Sequence, residues 1–385
     1  MQGRDALQIL DDAPLTQFAE RLVDQVREAA GASTALYVAD LDGRCLRRVA
    51  GDGGLPEELE TMQLVGPEIP MSRTGDLERA IQGAGTVAAI LPLWLRGRAV
   101  GLLAFGQPPS SDVDLLATHA AAAVELADRY TDVFARARRQ VECSAAAELQ
   151  QELLPPRIGR FEGAEVAGSI VPAYDIGGDW IDHCAMPGGG WLGVADAVGK
   201  GPQAGAIGAL ALGAYRAARR GDSCTLAQAA GRIHRALGGL EIEEIFVSAV
   251  LASWDGPSST LTWLRCGHPP PMVWHRERGL RALHGGDGPV LGLARLDPPR
   301  RSASRAIAAD EIVVMVSDGI LEHSAPSREP FGEDGLARAL DAMSEPSATG
   351  ALTAVLDAVR DLHGGGTRDD ASIVVLAPTG ERVPG

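Results

Sequence analysis

One stretch constrains this chain more than any other: Ile176-Gly177-Gly178-Asp179-Trp180-Ile181-Asp182, followed by Trp191-Leu192-Gly193-Val194-Ala195-Asp196-Ala197-Val198-Gly199-Lys200-Gly201. Asp179 follows a glycine pair, and Asp196 closes a short apolar run that leads into a glycine-rich turn. Glycines let the backbone bend tightly where a side chain must meet a ligand. Two carboxylates at such turns are expected to form half of a metal site.

With 385 residues, two to three domains are expected, and a hydrophobic fraction of 45% is enough for real cores. The formal net charge of −16 argues against nucleic acid and against anionic lipid, both of which select basic surfaces. Cys45, Cys143, Cys184, Cys224 and Cys266 are scattered without a CxxC pair, so neither a disulfide framework nor a zinc knuckle is supported. A reducing, cytoplasmic setting is the expectation, since no apolar signal core follows Met1. Arg96, Gly97 and Arg98 divide the apolar run Val87 to Phe105, which reads as two strands and a turn rather than a membrane span.

In the first part of the chain, Pro14 to Ala30 has helical periodicity and stops at Gly31. Ala35–Ala39 and Cys45–Val49 read as a hairpin across Asp42-Gly43. A short helix at Leu77–Ile81, a second hairpin (Thr86–Leu95 and Ala99–Phe105) and a helix from Asp112 complete an α+β pattern. That order, with the strand pair Leu93 to Phe105, resembles a GAF sensor domain over about residues 14 to 130. The resemblance implies an antiparallel sheet flanked by helices and a pocket for a small-molecule ligand; a ligand-free dimerisation domain is the alternative. Cys45 reads as an ordinary buried thiol.

No proline interrupts Asp112 to Leu154, so one nearly continuous helix is expected, with residues 131–155 as a linker able to pair two copies as a homodimer. Pro155-Pro156 marks the boundary to a domain spanning 156–378, and 379–385 is expected to fray. Strands are expected at Glu165–Pro172, Trp191–Ala195, Phe246–Trp254, Thr260–Cys266, Met272–His275, Glu311–Val316 and Ser372–Leu376. Helices are expected at Gln203–Arg220, Leu226–Leu237, Gly335–Met343 and Ala351–Leu362. Clustered strands with helices set between them favour a layered α/β/β/α sandwich over a parallel Rossmann sheet.

Four aspartates share a strand edge or turn: Asp179, Asp196, Asp318 after Ile312 to Ser317, and Asp369 before the last strand. Carboxylates gathered at one edge repel unless a cation neutralises them. Oxygen donors without His or Cys select Mg²⁺ or Mn²⁺ over zinc, and a pair of such ions can activate water and clamp a phosphoryl group. A lone Asp beside Gly is most often a turn; four in this arrangement are a stronger signal.

Leu149 to Leu376 closely resembles the SpoIIE-type serine/threonine phosphatases, a branch of the PPM (PP2C-like) fold. The matching pieces are Leu149-Gln150-Gln151-Glu152-Leu153-Leu154-Pro155, Pro172 to Asp179, Ala195 to Gly201, and Phe246-Val247-Ser248-Ala249. Cys266-Gly267-His268-Pro269-Pro270, Val316-Ser317-Asp318-Gly319 and Thr367-Arg368-Asp369-Asp370 follow in the family's order. The resemblance implies that Asp196 bridges two metal ions and that the carbonyl of Ala197 ligates the second. Asp318 and Asp369 would hold the first ion, and Asp179 the second, directly or through water. It also implies attack on phosphorus by metal-activated water, without a phosphoenzyme. Ala197 stands where many members have Gly, and Val198 where eukaryotic members place a His assigned as general acid. His268 reads as a structural anchor of its proline-rich turn, Asp182 as structural, Trp180 as packing, and Asp370 as a turn residue or a support for the ligands.

The expected function is a Mn²⁺/Mg²⁺-dependent phosphoserine/phosphothreonine phosphatase regulated by the first domain. Its expected partner, by resemblance, is a small phosphorylated anti-anti-sigma (STAS) protein. The small-residue helices Gln203–Arg220 and Leu226–Leu237 occupy the place of a regulatory switch in related phosphatases. The alternative is a non-catalytic dimeric sensor or scaffold that keeps the fold; a different two-metal phosphoesterase is a weaker reading.

Overall fold

Strand patterning and helix amphipathicity are realised in two compact units, Met1–Glu142 and Cys143–Gly385. The computed structural model describes every residue except 1–5, 84, 172–177, 222, 241–243, 294, 299–300, 324–329, 363–369 and 381–385.

The first unit runs α1 (Ala6–Asp12), α2 (Phe18–Ala30), β1 (Thr34–Ala39), β2 (Cys45–Gly51), β3 (Glu58–Glu60), β4 (Ile69–Pro70) and α3 (Thr74–Gly83). It continues with β5 (Ala89–Leu95), β6 (Arg98–Phe105), α4 (Asp114–Ala127) and α5 (Val133–Arg138). The six strands make one antiparallel sheet in the order β3-β2-β1-β6-β4, with β5 also on β6. Phe18, Leu22, Val23 and Val26 of α2 share a core with Leu36, Val38, Leu103 and the alanine face of α4. Cys45 is buried; burial and the nearby Asp40 carboxylate raise its thiol to about 12.

The continuous helix expected over Asp112 to Leu154 is instead three helices, α4, α5 and α6 (Ala145–Leu153), so no unbroken linker helix spans 131–155. The break between α5 and α6 is made without proline. The backbone turns extended at Arg139, and Gln140 Nε2 donates to Asp40 Oδ2 at 2.8 Å and to Cys45 Sγ at 3.0 Å. Ser144 then caps α6, its hydroxyl accepting from Ala147 N at 3.2 Å. Serine caps favour a new start over helix continuation.

The second unit continues with β7 (Ile158–Phe161), β8 (Ala164–Val171), β9 (Trp180–Met186), β10 (Gly189–Ala197), α7 (Gly201–Arg219), α8 (Leu226–Gly238), β11 (Val247–Asp255), β12 (Thr260–Cys266), β13 (Met272–His275) and β14 (Gly279–Ala282). Then come β15 (Asp287–Gly288), β16 (Ala303–Ala306), β17 (Glu311–Val316), α9 (Asp318–Leu321), α10 (Gly332–Asp341), α11 (Ala348–Asp361) and β18 (Ala371–Pro378). One sheet has the order β15-β12-β11-β10-β9, with β16 on β12; the other is β14-β13-β17-β18-β8-β7. Ile181, Leu192, Val194 and Val250 of the first sheet meet Val166, Val313, Met315 and Val374 of the second in one apolar layer. On the outer face of the first sheet, Ile207, Ala211, Tyr215 and Ile233 of α7 and α8 pack on Trp180, Ala195 and Leu251. α11 lies on β8 and β18, which completes the expected α/β/β/α layering.

Candidate metal centre

Strand periodicity builds the site. Side chains two apart share a face, so Asp196 continues the inter-sheet face of Leu192 and Val194, and Asp179 continues that of Ile181. In the second sheet, Ser317 extends the face of Val313 and Met315, while Asp370 and Ser372 extend that of Val374 and Leu376. The four strand ends therefore turn the apolar layer between the sheets into a polar cluster at one rim.

Register makes neighbours of residues distant in sequence. β9 and β10 form a hairpin with Ala195 opposite Trp180, which brings Asp196 level with Asp179. On its other side Asp196 pairs with Ser248 of β11. β17 and β18 pair Val316 with Ile373; Ser317 N then donates to Ser372 O at 2.9 Å, and Ser372 N to Ser317 Oγ at 2.9 Å. Asp318 follows as the exposed first residue of α9.

Two glycines allow close backbone approach here. A Cβ on Gly178 would lie 2.5 Å from the carbonyl oxygen of Ala197, and Ala197 N donates to Gly178 O at 3.3 Å. A Cβ on Gly319 would overlap the carbonyl of Asp370.

Asp179 is 5% exposed, and its Oδ2 has no hydrogen-bond partner. Burial, then the charges of Asp196 and Asp370, raise its carboxyl well above the usual range, while the hydroxyls of Ser372 and Ser317 act in the opposite sense. A buried carboxylate with an orphaned oxygen beside two further carboxylates fits a hard divalent cation, which would relieve both the repulsion and the missing contact. Among the described residues, no three His, Cys, Asp or Glu side chains are gathered closely enough to hold an ion by themselves. Asp369, expected as a ligand, lies outside the described residues.

The structure thus brings Asp179, Asp196 and Ala197 together, with Asp318 carried on the strand end beside Ser317. Two further residues take part. Asp370, read as a turn residue or support, is buried and acts electrostatically on Asp179. Gln150 of α6 donates through Nε2 to Asp179 O at 2.9 Å and to Asp370 Oδ2 at 3.3 Å. Its presence in the motif Leu149 to Pro155 was the only signal.

Other polar residues have structural work. Asp182 is 1% exposed on its side chain and accepts from Arg216 (2.7 Å) and Arg219 (2.9 Å) of α7. Trp180 packs on Tyr215 with ring centroids 5.4 Å apart. His268 is buried, shares a 2.7 Å hydrogen bond between Nδ1 and Ser248 Oγ, and is pushed down to about 3 by burial. It is neutral near pH 7 and holds no imidazolium proton to donate.

The layered sandwich with this acidic rim is the fold of PP2C-type phosphatase domains. It is similar to the SiaA-PP2C domain of Pseudomonas aeruginosa, with a TM-score of 0.50 and 20% identity over 60% of this chain and 94% of that one. The RsbU and RsbW domains of Rv1364c from Mycobacterium tuberculosis match with a TM-score of 0.49 and 21% identity over 58% of this chain and 62% of that one. The PP2C phosphatase domain of SpoIIE from Bacillus subtilis, with a fragment of its regulatory domain, matches at 0.47 and 14% identity over 56% and 63%. This chain thus spans about 62% of the Rv1364c structure. Residues 187–378 match the family of Stage II sporulation protein E (SpoIIE), and this part of the chain belongs to that family. No curated protein matches the chain in sequence. Among the described residues no helix is long and apolar enough to cross a membrane.

Proposed function

We propose that the second unit is a Mn²⁺- or Mg²⁺-dependent protein phosphatase that hydrolyses phosphoserine or phosphothreonine on a regulatory protein. The observation that supports this best is the convergence of Asp179, Asp196 and Asp370 at the polar rim of the inter-sheet layer, with Asp179 Oδ2 unsatisfied. In this reading Asp196 would serve both ions of a dinuclear centre, Asp179 and the Ala197 carbonyl would hold the second, and Asp318 and Asp369 the first. Bound divalent ions supply Lewis acidity that lowers the pKa of water and offsets phosphate charge. The chain's own part is to fix the carboxylates on strand ends, with the hydroxyls of Ser317 and Ser372 beside Asp179. Buried, neutral His268 does not serve as the acid; the leaving oxygen takes its proton from water.

By resemblance, the substrate is a phosphorylated anti-anti-sigma protein of the STAS type, and the first unit is a GAF-like sensor that regulates turnover. The test is hydrolysis of p-nitrophenyl phosphate and of a phosphoserine peptide by the full chain with and without Mn²⁺. Wild-type turnover should require the metal, and Asp196→Asn should reduce it by at least about 10³-fold, a loss of roughly 4 kcal/mol of transition-state stabilisation. Equal turnover by the two proteins would refute the assignment.

A further inference from the structure

The carboxylate rim is supported by a side chain of the motif Leu149 to Pro155 to which the sequence assigned no role. Gln150 lies on α6, outside the residues 187–378 that match the SpoIIE family. It is 9% exposed, and its single amide nitrogen reaches two acidic segments 191 positions apart, the main chain at Asp179 and the carboxylate of Asp370. Asp179 precedes β9 in one sheet and Asp370 precedes β18 in the other. Like charges on the two carboxylates repel each other. A neutral donor that bonds both segments holds them together against that repulsion without adding a charge at the rim.

The rest of α6 secures this donor. Leu153 packs with the α7–α8 core and Leu154 with the inter-sheet core. Arg216 of α7 donates to Leu153 O at 2.5 Å, and the same guanidinium bonds Asp182 of β9. Between α6 and α7 lies a cavity of about 20 Å³, lined by Gln150, Asp179, Gly205, Gly208 and Leu212. Gly208 is needed for the fit, because a Cβ there would stand 2.6 Å from Gly178 O. Packing and hydrogen bonding of its neighbours Leu153 and Leu154 thus fix the backbone that carries Gln150.

We propose that Gln150 is a positioning residue that clamps the two sheets' acidic strand ends in register for cation binding, so that α6 is part of the active centre. This rests on the phosphatase reading for its link to catalysis, but the clamp itself is a separate claim. The test uses the full chain with Gln150→Met, which keeps the side-chain length and removes the amide, and Gln150→Glu, which sets a carboxylate against both acceptors. Glu152→Gln, at an exposed position on the same helix, is the control.

Two measurements are made. Amide hydrogen exchange should rise together in the segments 178–181 and 370–373 in the Met variant, with other strands unchanged. Mn²⁺ affinity by calorimetry should weaken about 10- to 100-fold, the usual effect of losing a residue that orients metal ligands, and Gln150→Glu should weaken it as well. Glu152→Gln should match wild type in both. Unchanged exchange in either segment, or Mn²⁺ affinity within about twofold of wild type, overturns the proposal. Wild-type protein that binds no Mn²⁺ while the exchange signature appears would remove the phosphatase reading and leave the clamp standing.

Discussion

Gly178→Ala tests whether close backbone packing sets the geometry of the proposed centre. The new methyl would stand 2.5 Å from Ala197 O and 2.6 Å from Ala197 Cβ, where ordinary contact begins at 3.4 Å. Relief requires the start of β9 and the end of β10 to separate by about 1 Å, a displacement of the size that costs on the order of 10²-fold when it falls on reacting groups. Overpacking of this kind costs about 1–3 kcal/mol. Loss of the 3.3 Å bond from Ala197 N to Gly178 O adds about 1 kcal/mol. The expected result is a loss of roughly 2–4 kcal/mol in urea unfolding together with a ~10²-fold fall in Mn²⁺-dependent hydrolysis. Gly188→Ala is the control, since Gly188 has φ +76° at the far turn of the same hairpin with nothing within 4 Å of a Cβ. It should cost about 1 kcal/mol through backbone strain and leave activity intact. If Gly178→Ala melts within about 0.5 kcal/mol of wild type at full activity, or if both variants lose activity alike, the packing argument is wrong.

Asp182→Asn should destabilise the chain by about 3–5 kcal/mol in urea unfolding, because it leaves Arg216 and Arg219 facing a neutral group; a loss under about 1 kcal/mol would contradict the ion-pair reading. Burial lowers His183 to about 4 from 6.5. The unfolded chain therefore takes up this proton first as pH falls, and the stability from keeping His183 neutral is whole above pH 6.5 and lost between there and about 4. That loss is about 3 kcal/mol, and His183→Gln should flatten the slope by that amount when unfolding is measured across this range; an unchanged slope would count against it. Gly319→Ala should abolish hydrolysis while the first unit stays folded by hydrogen exchange, since its methyl collides with the Asp370 carbonyl; normal turnover would refute the close packing of α9 on β18.

How much of the site was legible depends on what each residue has for neighbours. Asp179, Asp196 and Asp318 announce themselves through glycines and apolar runs, because the chain must turn where a strand delivers a carboxylate. β10, β12, β13 and β17 were readable for the same reason, as short apolar runs bounded by turn residues. β9 was not expected as a strand. Its sequence, Trp180-Ile181-Asp182-His183-Cys184-Ala185-Met186, carries a buried Asp and a buried His. Their partners, the arginines of α7 and the Pro156 carbonyl, become neighbours only in the folded unit. Breaks in the expected long helix were likewise invisible, because Gln140 leaves helical packing for Asp40 and Cys45, 95 or more positions earlier.

By itself the sequence determined the layered class of the second unit, its strand ends and the chemistry available there, since strand periodicity, turn glycines and carboxylates are local properties. Tertiary structure alone decided that Asp179 stands level with Asp196, that the charges of Asp196 and Asp370 both bear on Asp179, and that an amide from α6 bonds the two sheets' ends. Register and sheet packing set those relations, and they depend on contacts between segments that no local pattern encodes.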